Sequence, residues 1–229
     1  MSRVAFFCCG TLCIALLSGC WQGISRQVVA TVLSMRGELL CRQPGQADFQ
    51  PFGSGTKPGV GSVLRTSGDG WVNLALIPGT LVQVAPNSEL EIEKLRLTKD
   101  GNDTRDEMRD RVVEIRLNRG IIDVLFQLRD KSTAQMSIAT NHVTVMAKPS
   151  CLFRIQADEL TTRVTSVHGK VYSTQAGPIS PGYFQEWPSS GGMVAAADYP
   201  RGQTDMTAIL LAERELRALQ SGKLLQLPY

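Results

Sequence analysis

Cysteine is the residue in this sequence with the widest choice of chemistry, and its six copies fall into two groups by position. Four lie within the first 20 residues, at positions 8, 9, 13 and 20. The other two, Cys41 and Cys151, lie far apart in the chain. A thiol next to a secretion signal can carry a lipid, whereas two thiols in an oxidising compartment can pair. The segment around each cysteine decides which chemistry applies.

The segment before Cys20 has the layout of a secretory signal. One basic residue, Arg3, precedes an apolar run of thirteen residues, AFFCCGTLCIALL, which ends at Leu17. A helix that crosses a membrane needs about 20 apolar residues, so this run is too short to span one. A basic start, a short apolar stretch and small residues at its end predict a signal peptide over residues 1–19.

The end of that signal, Leu17-Ser18-Gly19-Cys20, resembles the bacterial lipobox. The resemblance implies cleavage between Gly19 and Cys20, a diacylglyceryl group on the Cys20 thiol and acylation of the new amino terminus, with palmitate as the expected chain. Two or more acyl chains give stable anchoring. Trp21 stands where Asp would imply retention in the inner membrane. We therefore predict a lipid-anchored envelope protein, at the outer membrane and facing the periplasm. The alternative is an ordinary signal peptide with a chance cysteine.

Composition limits the remaining possibilities. Without residues 1–19 the chain has 210 residues, and the loss of Arg3 leaves 23 basic residues against 21 acidic ones. A balance this close to neutral is not typical of a nucleic-acid-binding protein. The state of Cys41 and Cys151 stays open between a disulfide and two buried free thiols.

Residues that often do catalysis are sparse. His142 and His168 lie in strand patterns, without cysteine or carboxylate neighbours at metal-ligand spacing. Residues 54–57 match the S-x-x-K of serine acyl enzymes through Ser54 and Lys57, but the companion S-D-N and K-T-G motifs are missing from the sequence. We therefore predict a protein that is not an enzyme and that needs no metal and no cofactor.

Most of the mature chain alternates apolar and polar residues with period two, which predicts strands. The predicted strands span residues 28–33, 38–41, 71–77, 81–84, 89–97, 112–117, 121–128, 136–139, 142–147, 151–156, 161–167 and 170–174. Residues 43–62, rich in Gly and Pro, are predicted to form a loop. The apolar phase slips after Ile92, which predicts a β-bulge near Glu93 and Lys94.

The charged segment 98–111, TKDGNDTRDEMRDR, is predicted to be a solvated hairpin tip. A calcium-binding EF-hand loop counted from Asp100 is excluded, because Arg105 and Arg111 stand where that loop needs Gly and Glu.

Glycine followed by an apolar strand recurs at Gly37, Gly79, Gly120 and Gly169, with spacings of 42, 41 and 49 residues. Glycine accepts the positive φ of a turn that enters a strand, so the recurrence predicts one supersecondary unit used about four times. We expect an all-β fold, a short β-solenoid in preference to a β-sandwich.

From residue 204 the pattern becomes helical. Thr204 or Asp205 is predicted to cap an amphipathic helix that ends at Gly222 and packs on the β domain, with display to a partner protein as the alternative. Its apolar positions are Met206, Ile209, Leu210, Leu216 and Leu219. The predicted organisation is a signal peptide (1–19), an anchor linker (20–27), a β domain (28–187), a linker (188–203) and a C-terminal helix with its tail (204–229).

The β domain resembles the periplasmic domain of FecR-type proteins between Val28 and Phe184. The segments that carry the resemblance include 59–66 (GVGSVLRT), 71–76, 86–92 (PNSELEI), 117–124 (LNRGIIDV), 139–141, 148–155 and 167–172 (VHGKVY). One departure is Pro149-Ser150 before Cys151, where the family has Gly-Thr. The resemblance implies contacts with other proteins. FecR signalling proteins carry an anti-sigma segment and a transmembrane helix before this domain, and here a lipid anchor takes their place.

Two functions remain for such a domain. The first is to bind or scaffold another envelope protein, in signalling or export, through strand edges and loop surfaces. The second is to bind carbohydrate or peptidoglycan, with Trp71 and Trp187 as the main stacking residues, helped by Tyr172, Tyr183 and Phe184.

Overall fold

The computed structural model describes residues 23–53, 56–99, 108–128, 132–188 and 192–223. Predictions that fall elsewhere, including the signal peptide, Cys20, Ser54 and the tail after residue 223, lie outside the described residues. The described strands are β1 (Ile24–Gln27), β2 (Thr31–Arg36), β3 (Leu39–Arg42), β4 (Gln50–Pro51), β5 (Val63–Thr66), β6 (Trp71–Ile77), β7 (Thr80–Val84), β8 (Glu89–Lys99), β9 (Met108–Phe126), β10 (Thr133–Ala139), β11 (Thr144–Ala147), β12 (Cys151–Ala157), β13 (Thr162–His168), β14 (Val171–Ser173), β15 (Gly177–Ile179), β16 (Tyr183–Trp187) and β17 (Val194–Ala195). A 3-10 turn (Ala196–Asp198) leads into helix α1 (Pro200–Lys223).

These strands form two sheets around one core. Sheet 1 has the order β4-β3-β5-β8-β9-β10-β11-β14-β15, with β1 beside the end of β8. Sheet 2 has the order β2-β6-β7-β9-β12-β13-β16-β17. Side chains from both sheets meet inside, among them Leu64 and Ile115 from sheet 1 and Val124 and Phe153 from sheet 2, all 0% exposed. The predicted all-β fold with one C-terminal helix is confirmed.

The strand pairing favours a sandwich over a solenoid. Stacked coils of a solenoid place successive strands in parallel, whereas every described pair here is antiparallel except β9 with β10. The expected solenoid is therefore replaced by its alternative, two facing sheets whose strands come from hairpins.

Four long hairpins build the two sheets. Each starts in sheet 2, crosses into sheet 1, turns there and returns to sheet 2: β2-β3-β5-β6, β7-β8-β9, β9-β10-β11-β12 and β13-β14-β15-β16. The predicted unit that starts at each of the four glycines is not found, because these glycines do not occupy equivalent positions in the four hairpins. The four glycines all have positive φ, but Gly79 lies in the turn between β6 and β7, while Gly37, Gly120 and Gly169 lie where the chain changes sheets.

Strand β9 belongs to both sheets. Its first part pairs with β8 and β10 in sheet 1, and its last part pairs with β7 and β12 in sheet 2. The change occurs at Gly120, where φ is 98° and a side chain would collide with the Cα and Oγ of Ser88. The sequence predicts two strands, 112–117 and 121–128. The structure joins them into one strand of 19 residues, because Gly120 bends the chain without ending its pairing.

The predicted bulge is confirmed. The register between β8 and β9 shifts between Ile92 and Lys94. The extra residue turns Leu95 back into the core, where it is 0% exposed. The slip in the apolar pattern therefore corresponds to one extra residue in β8 relative to β9.

Helix α1 packs on the outer surface of sheet 2, as predicted. Ile209 and Leu216 are fully buried against Leu81, Leu125 and Leu152 of that sheet. The predicted start is wrong: the helix begins at Pro200, whose fixed φ suits a first turn. Among the described residues no helix is both long enough and apolar enough to cross a membrane.

Candidate binding surfaces

The outer surfaces of the two sheets differ in what covers them. Helix α1 lies over sheet 2, while no described helix packs on the outer surface of sheet 1, called the open face here. Outward side chains of the open face include Arg65, Glu91, Arg116 and Ser137, which alternate with the core positions of their strands. The covered surface and the open face differ in their chemistry.

A row of polar side chains crosses sheet 2 beneath the helix. The row runs through directly opposed positions of six neighbouring strands: Ser34, Asn73, Gln83, Asp123, Arg154 and Thr165. Polar side chains in the middle of a covered sheet cost free energy unless they are paired. Each end of the row is accordingly satisfied by a carboxylate from α1.

Glu215 satisfies one end of this row. The Asn73 amide donates to Ser34 Oγ at 3.0 Å and to Glu215 Oε1 at 3.1 Å. The Gln83 amide donates to Asn73 Oδ1 and to Glu215 Oε2, both at 3.0 Å. Four side chains from three strands and the helix thus form one closed network, which fixes the position of α1 along the sheet.

Asp205 satisfies the other end. Its Oδ2 accepts from Arg163 Nε at 2.8 Å and from Thr165 Oγ1 at 3.1 Å, and its Oδ1 lies 3.6 Å from Arg154 Nη1. Arg154 also makes two hydrogen bonds of 2.8 Å to the carboxylate of Asp123. Burial raises the pKa of Asp123, an effect that the guanidinium of Arg154 opposes. The pKa of Arg154 is itself raised, because the two carboxylates outweigh the effect of burial.

These buried charges have a structural use. Asp205, predicted as a helix cap, lies inside the first turns of α1 and is only 4% exposed. Every charge in the cluster has a partner inside the protein, and together they hold α1 to sheet 2. The sequence carries one signal of this cluster: Asp123 interrupts the apolar run IIDVLF, and a carboxylate in such a run needs a buried partner.

The open face carries a cluster of arginine, carboxylate and aromatic side chains near the β3 end of sheet 1. Arg65 donates from Nε and Nη2 to Glu89 Oε2 at 2.9 and 2.6 Å. Asn118 donates to Glu89 Oε1 at 3.1 Å. The guanidinium carbons of Arg65 and Arg42 lie 4.0 and 5.2 Å from the centre of the Phe49 ring. Burial favours a raised pKa for Glu89, but the bonds from Arg65 and Asn118 outweigh it and lower this pKa.

Ion pairs continue across the open face. Arg116 donates to Glu93 at 2.8 Å, and Lys94 donates to Glu114 at 2.9 Å. Their side chains are between 31% and 40% exposed, so each pair contributes little to stability. The face therefore presents charges of both signs to the solvent in a fixed arrangement.

The structure resolves the alternatives left for the cysteines. Cys41 and Cys151 are free thiols, 3% and 2% exposed. Cys41 lies in β3, three strands from β9 in sheet 1. Cys151 lies in β12 of sheet 2, where its backbone is opposite Phe126 of β9. At about 4.8 Å per strand this separation exceeds the reach of a disulfide, and the pairing is not formed. Burial raises the pKa of both thiols.

Two of the aromatic residues predicted to stack on carbohydrate are buried. Trp187 is 4% exposed and Phe184 is 2% exposed, because both point from β16 into packed surroundings. Trp71 is half-buried at the start of β6, and Tyr183 is 37% exposed. Trp187 is therefore corrected from a ligand-stacking residue to a core residue.

The two histidines lie in different parts of the fold, and Ser54 lies outside the described residues. His142 lies in the turn between β10 and β11, with Nδ1 3.1 Å from Thr162 Oγ1. His168 is exposed at the end of β13. Within the described ranges no group of three or more His, Cys, Asp or Glu side chains is placed to hold a metal ion.

Comparison with known proteins gives limited similarity. No family profile matches the chain, and no curated protein matches it. Two crystal structures of a candidate anti-sigma factor from Parabacteroides distasonis, at 1.65 and 2.50 Å resolution, align with TM-scores of 0.39 and 0.38 and 16% identity. Each alignment covers 57% of this chain and 56% of the other, so the chain spans about half the length of those proteins. A similarity this low does not indicate a function. The FecR-type resemblance stays a prediction.

Proposed function

We propose that this protein is a lipid-anchored, non-enzymatic binding protein of the bacterial cell envelope, and that it binds another envelope protein through its open face. The observation that carries the proposal is the contrast between the two outer surfaces. Sheet 2 is covered by α1 through a buried polar network, while the outward side chains of sheet 1 are satisfied mostly among themselves. A broad surface of this kind has room for a protein partner.

The chemistry of the open face supports a protein partner. Arginine and aromatic side chains are enriched in the energetically dominant positions of protein interfaces. Arg65 is held by Glu89 and stacks on Phe49, so it is ordered before any partner arrives. A preordered arginine loses less side-chain entropy on binding, which favours affinity. The ion pairs farther along the sheet supply a polar surround.

The proposed location follows from the sequence. The lipobox resemblance at Cys20 supports anchoring in an envelope membrane, with the domain in the periplasm. A protein held outside the inner membrane cannot contact a cytoplasmic sigma factor. The FecR-type resemblance therefore supports protein contacts for this chain without the anti-sigma activity.

Photo-crosslinking in intact cells tests the proposed surface. A photoreactive amino acid is placed at Glu91 or Ser137 on the open face, and the matched control is Leu211 on α1, which is 59% exposed. We expect Glu91 and Ser137 to form a covalent adduct with one defined envelope protein and Leu211 to form none. Adducts from Leu211 alone, or none from any position, would overturn the assignment of the open face.

The anchor is tested separately. Metabolic labelling with a palmitate analogue should mark the wild-type protein and leave Cys20→Ala unmarked. A Cys20→Ala protein that still incorporates the label would show that the lipobox prediction is wrong.

A further inference from the structure

A groove of about 1000 Å³ lies on the open face, at the end of sheet 1 where β9 begins. It is lined by residues of β8, β9, β10, β11 and β14, which are successive strands of this sheet. Four strand spacings of about 4.8 Å make the groove roughly 19 Å long. Ligand clefts have volumes of about 300 to 1,000 Å³, so this groove is large enough for a short stretch of chain.

One row of opposed residues forms the floor of the groove. Arg96 of β8 is opposite Val112 of β9, and Val112 is opposite Gln135 of β10. Lys148 follows β11 at the position beside Gln135. Arg96 and Val112 point outward, because the neighbouring residues of β8 and β9 point into the core. The two cations of the row are three strands apart, about 14 Å between their Cα atoms.

Arg96 has hydrogen-bonding capacity left for a ligand. Its Nε atom is buried and has no hydrogen-bond partner within the described part of the chain. The nearby carboxylate of Asp110 accepts from the Thr133 hydroxyl and from Arg109, which lower its pKa, and Arg96 adds a smaller effect of its charge. A second carboxylate can satisfy the guanidinium of Arg96 with two parallel hydrogen bonds.

Lys148 stands at the other end of the row. Its side chain is exposed, and its ammonium nitrogen lies 5.9 Å from the centre of the Tyr172 ring. Met146, opposite Tyr172 in the neighbouring strand, is 37% exposed. A carboxylate that reaches Lys148 therefore lies beside an apolar wall, where water screens its attraction to the ammonium less.

We propose that this groove holds an extended, acidic segment of the partner protein, with one carboxylate at Arg96 and a second at Lys148. The proposal rests on the proposed function, because it names the part of the open face that the partner occupies. Charge favours an anionic segment, since the lining residues carry three cations, the third being Arg111, and one carboxylate. Length favours a peptide, because a free phosphate would fill only a small part of a groove about 19 Å long.

The spacing of the two cations sets the pattern of the segment. Side chains at i, i+2 and i+4 of an extended chain lie on one side, and four steps of the chain cover about 13 Å. This length matches the roughly 14 Å between Arg96 and Lys148. The expected segment is therefore acidic at i and i+4, with an apolar residue at i+2 that lies over Val112.

Photo-crosslinking with synthetic peptides tests the groove in the purified full-length protein, held in a neutral detergent. The probe is Glu-Ser-X-Ser-Glu with blocked ends, where X carries a benzophenone. One control peptide has Gln in place of both Glu residues. A second control, Glu-Glu-X-Ser-Ser, keeps the charge and changes the spacing. The full chain is used throughout, so the acidic segment 100–107 is present in every arm.

We expect mass spectrometry to locate the adduct of the probe at residues of the groove, namely Val112, Gln135 or Met146. The two control peptides should label these residues at least about threefold less, because each loses one or both of the charge contacts. Equal labelling by the two peptides that contain Glu would overturn the proposed spacing. Displacement of the probe by millimolar inorganic phosphate would overturn the choice of a peptide as the ligand.

Variants of the protein test the two cations. Arg96→Gln should lower the yield of the adduct about tenfold, and Lys148→Gln about threefold to fivefold, since Lys148 is the more exposed. The matched control is Arg119→Gln, which removes an exposed cation of β9 seven residues from Val112. At a distance of about 23 Å its charge is screened, so the yield should change less than about twofold. All three substitutions replace exposed or half-buried side chains, and urea unfolding checks that each variant folds.

An adduct outside the groove, or one that Arg96→Gln and Lys148→Gln do not reduce, would overturn the proposed site. The proposed function fails separately from the groove. If the cellular crosslinks from Glu91 and Ser137 form while the peptide probe does not bind, the open face stands and the groove is wrong. If those crosslinks do not form, the open face itself is wrong as the partner's surface.

Discussion

Arg154 and Asp123 face each other across strands β12 and β9 and are joined by two hydrogen bonds of 2.8 Å. Helix α1 covers this pair and adds the carboxylate of Asp205. An arginine with carboxylates on two sides is stable in a buried position, because its charge and its donors are both satisfied. The attachment of α1 therefore depends on a few charges as well as on apolar packing.

Replacing Asp205 tests this dependence. Asp205→Ala takes the 2.8 Å carboxylate acceptor from Arg163 Nε and the 3.1 Å acceptor from Thr165. Arg163 keeps Gln156 and Glu186 as partners. Removing one member of a buried ion pair costs about 3 to 5 kcal/mol, and the two remaining partners put the expected loss at about 3 kcal/mol. We expect that loss in the free energy of unfolding by urea, together with faster amide exchange in α1.

The matched control, Arg217→Ala, removes an i,i+4 pair with Glu213 in which the arginine is 46% exposed, together with a bond to Gln127, and should cost less than about 1 kcal/mol. Equal costs for the two variants would contradict the role assigned to Asp205.

Glycine at position 120 is predicted to be required by two separate constraints. Gly120→Ala must adopt a φ of 98° and also place its Cβ against Ser88, so we expect a loss of more than about 3 kcal/mol in unfolding free energy. Gly177→Ala is the matched control, since Gly177 has a φ of 81° and nothing within 4 Å of a Cβ. It should lose only about 1 to 2 kcal/mol, the cost of the backbone conformation. Similar losses would show that contact with Ser88 does not matter.

Protonation of Glu89 should lower the free energy of unfolding in acid. Its pKa is lowered in the folded protein from the usual 4.5, so its contribution is present above about pH 4.5 and is lost as the pH falls through the lowered pKa. Because Arg65 is 37% exposed, we expect wild type to exceed Glu89→Gln by only about 0.5 to 1 kcal/mol at pH 7. Urea unfolding should show this difference shrinking as the pH is lowered. A difference that stays constant with pH would contradict the ionised pair.

Thiol labelling should report the state of the two buried cysteines. Cys41 and Cys151 have raised pKa values and little exposure, so the native protein should react slowly with a maleimide. In denaturant without reductant, the lipidated protein should take up two labels by mass spectrometry. Uptake of none under those conditions would reveal a disulfide and contradict the free thiols.

Features set by local pattern are predictable from this sequence. The β8 bulge follows from a slip between Ile92 and Leu95 that lies within four residues. Strand β6 is predicted with its observed bounds, because its alternation is regular and glycines punctuate both ends. The positive φ of Gly37, Gly120 and Gly169 follows from their place before apolar strands.

Features set by distant partners are not predictable in the same way. Asp205 has the local signature of a helix cap, and its arginine partner Arg163 is 42 residues away. The strand pattern also does not show which sheet a strand joins. Gly120, where β9 passes from sheet 1 to sheet 2, is therefore interpreted from the sequence as a break between two strands. An aromatic residue such as Trp187 can stack on a ligand or fill a core, and only the folded structure shows that Trp187 belongs to the core. Tertiary contacts decide each of these cases.

Strand β9 has a consequence for how the protein melts. It is the central strand of both sheets, so neither sheet can lose its middle while the other stays intact. Neither sheet can therefore act as an independent folding unit, and heating should disrupt both in a single cooperative transition. Refolding should be slow for a chain of this size, because the last part of β9 pairs with β7 and β12, which are not its neighbours in the sequence.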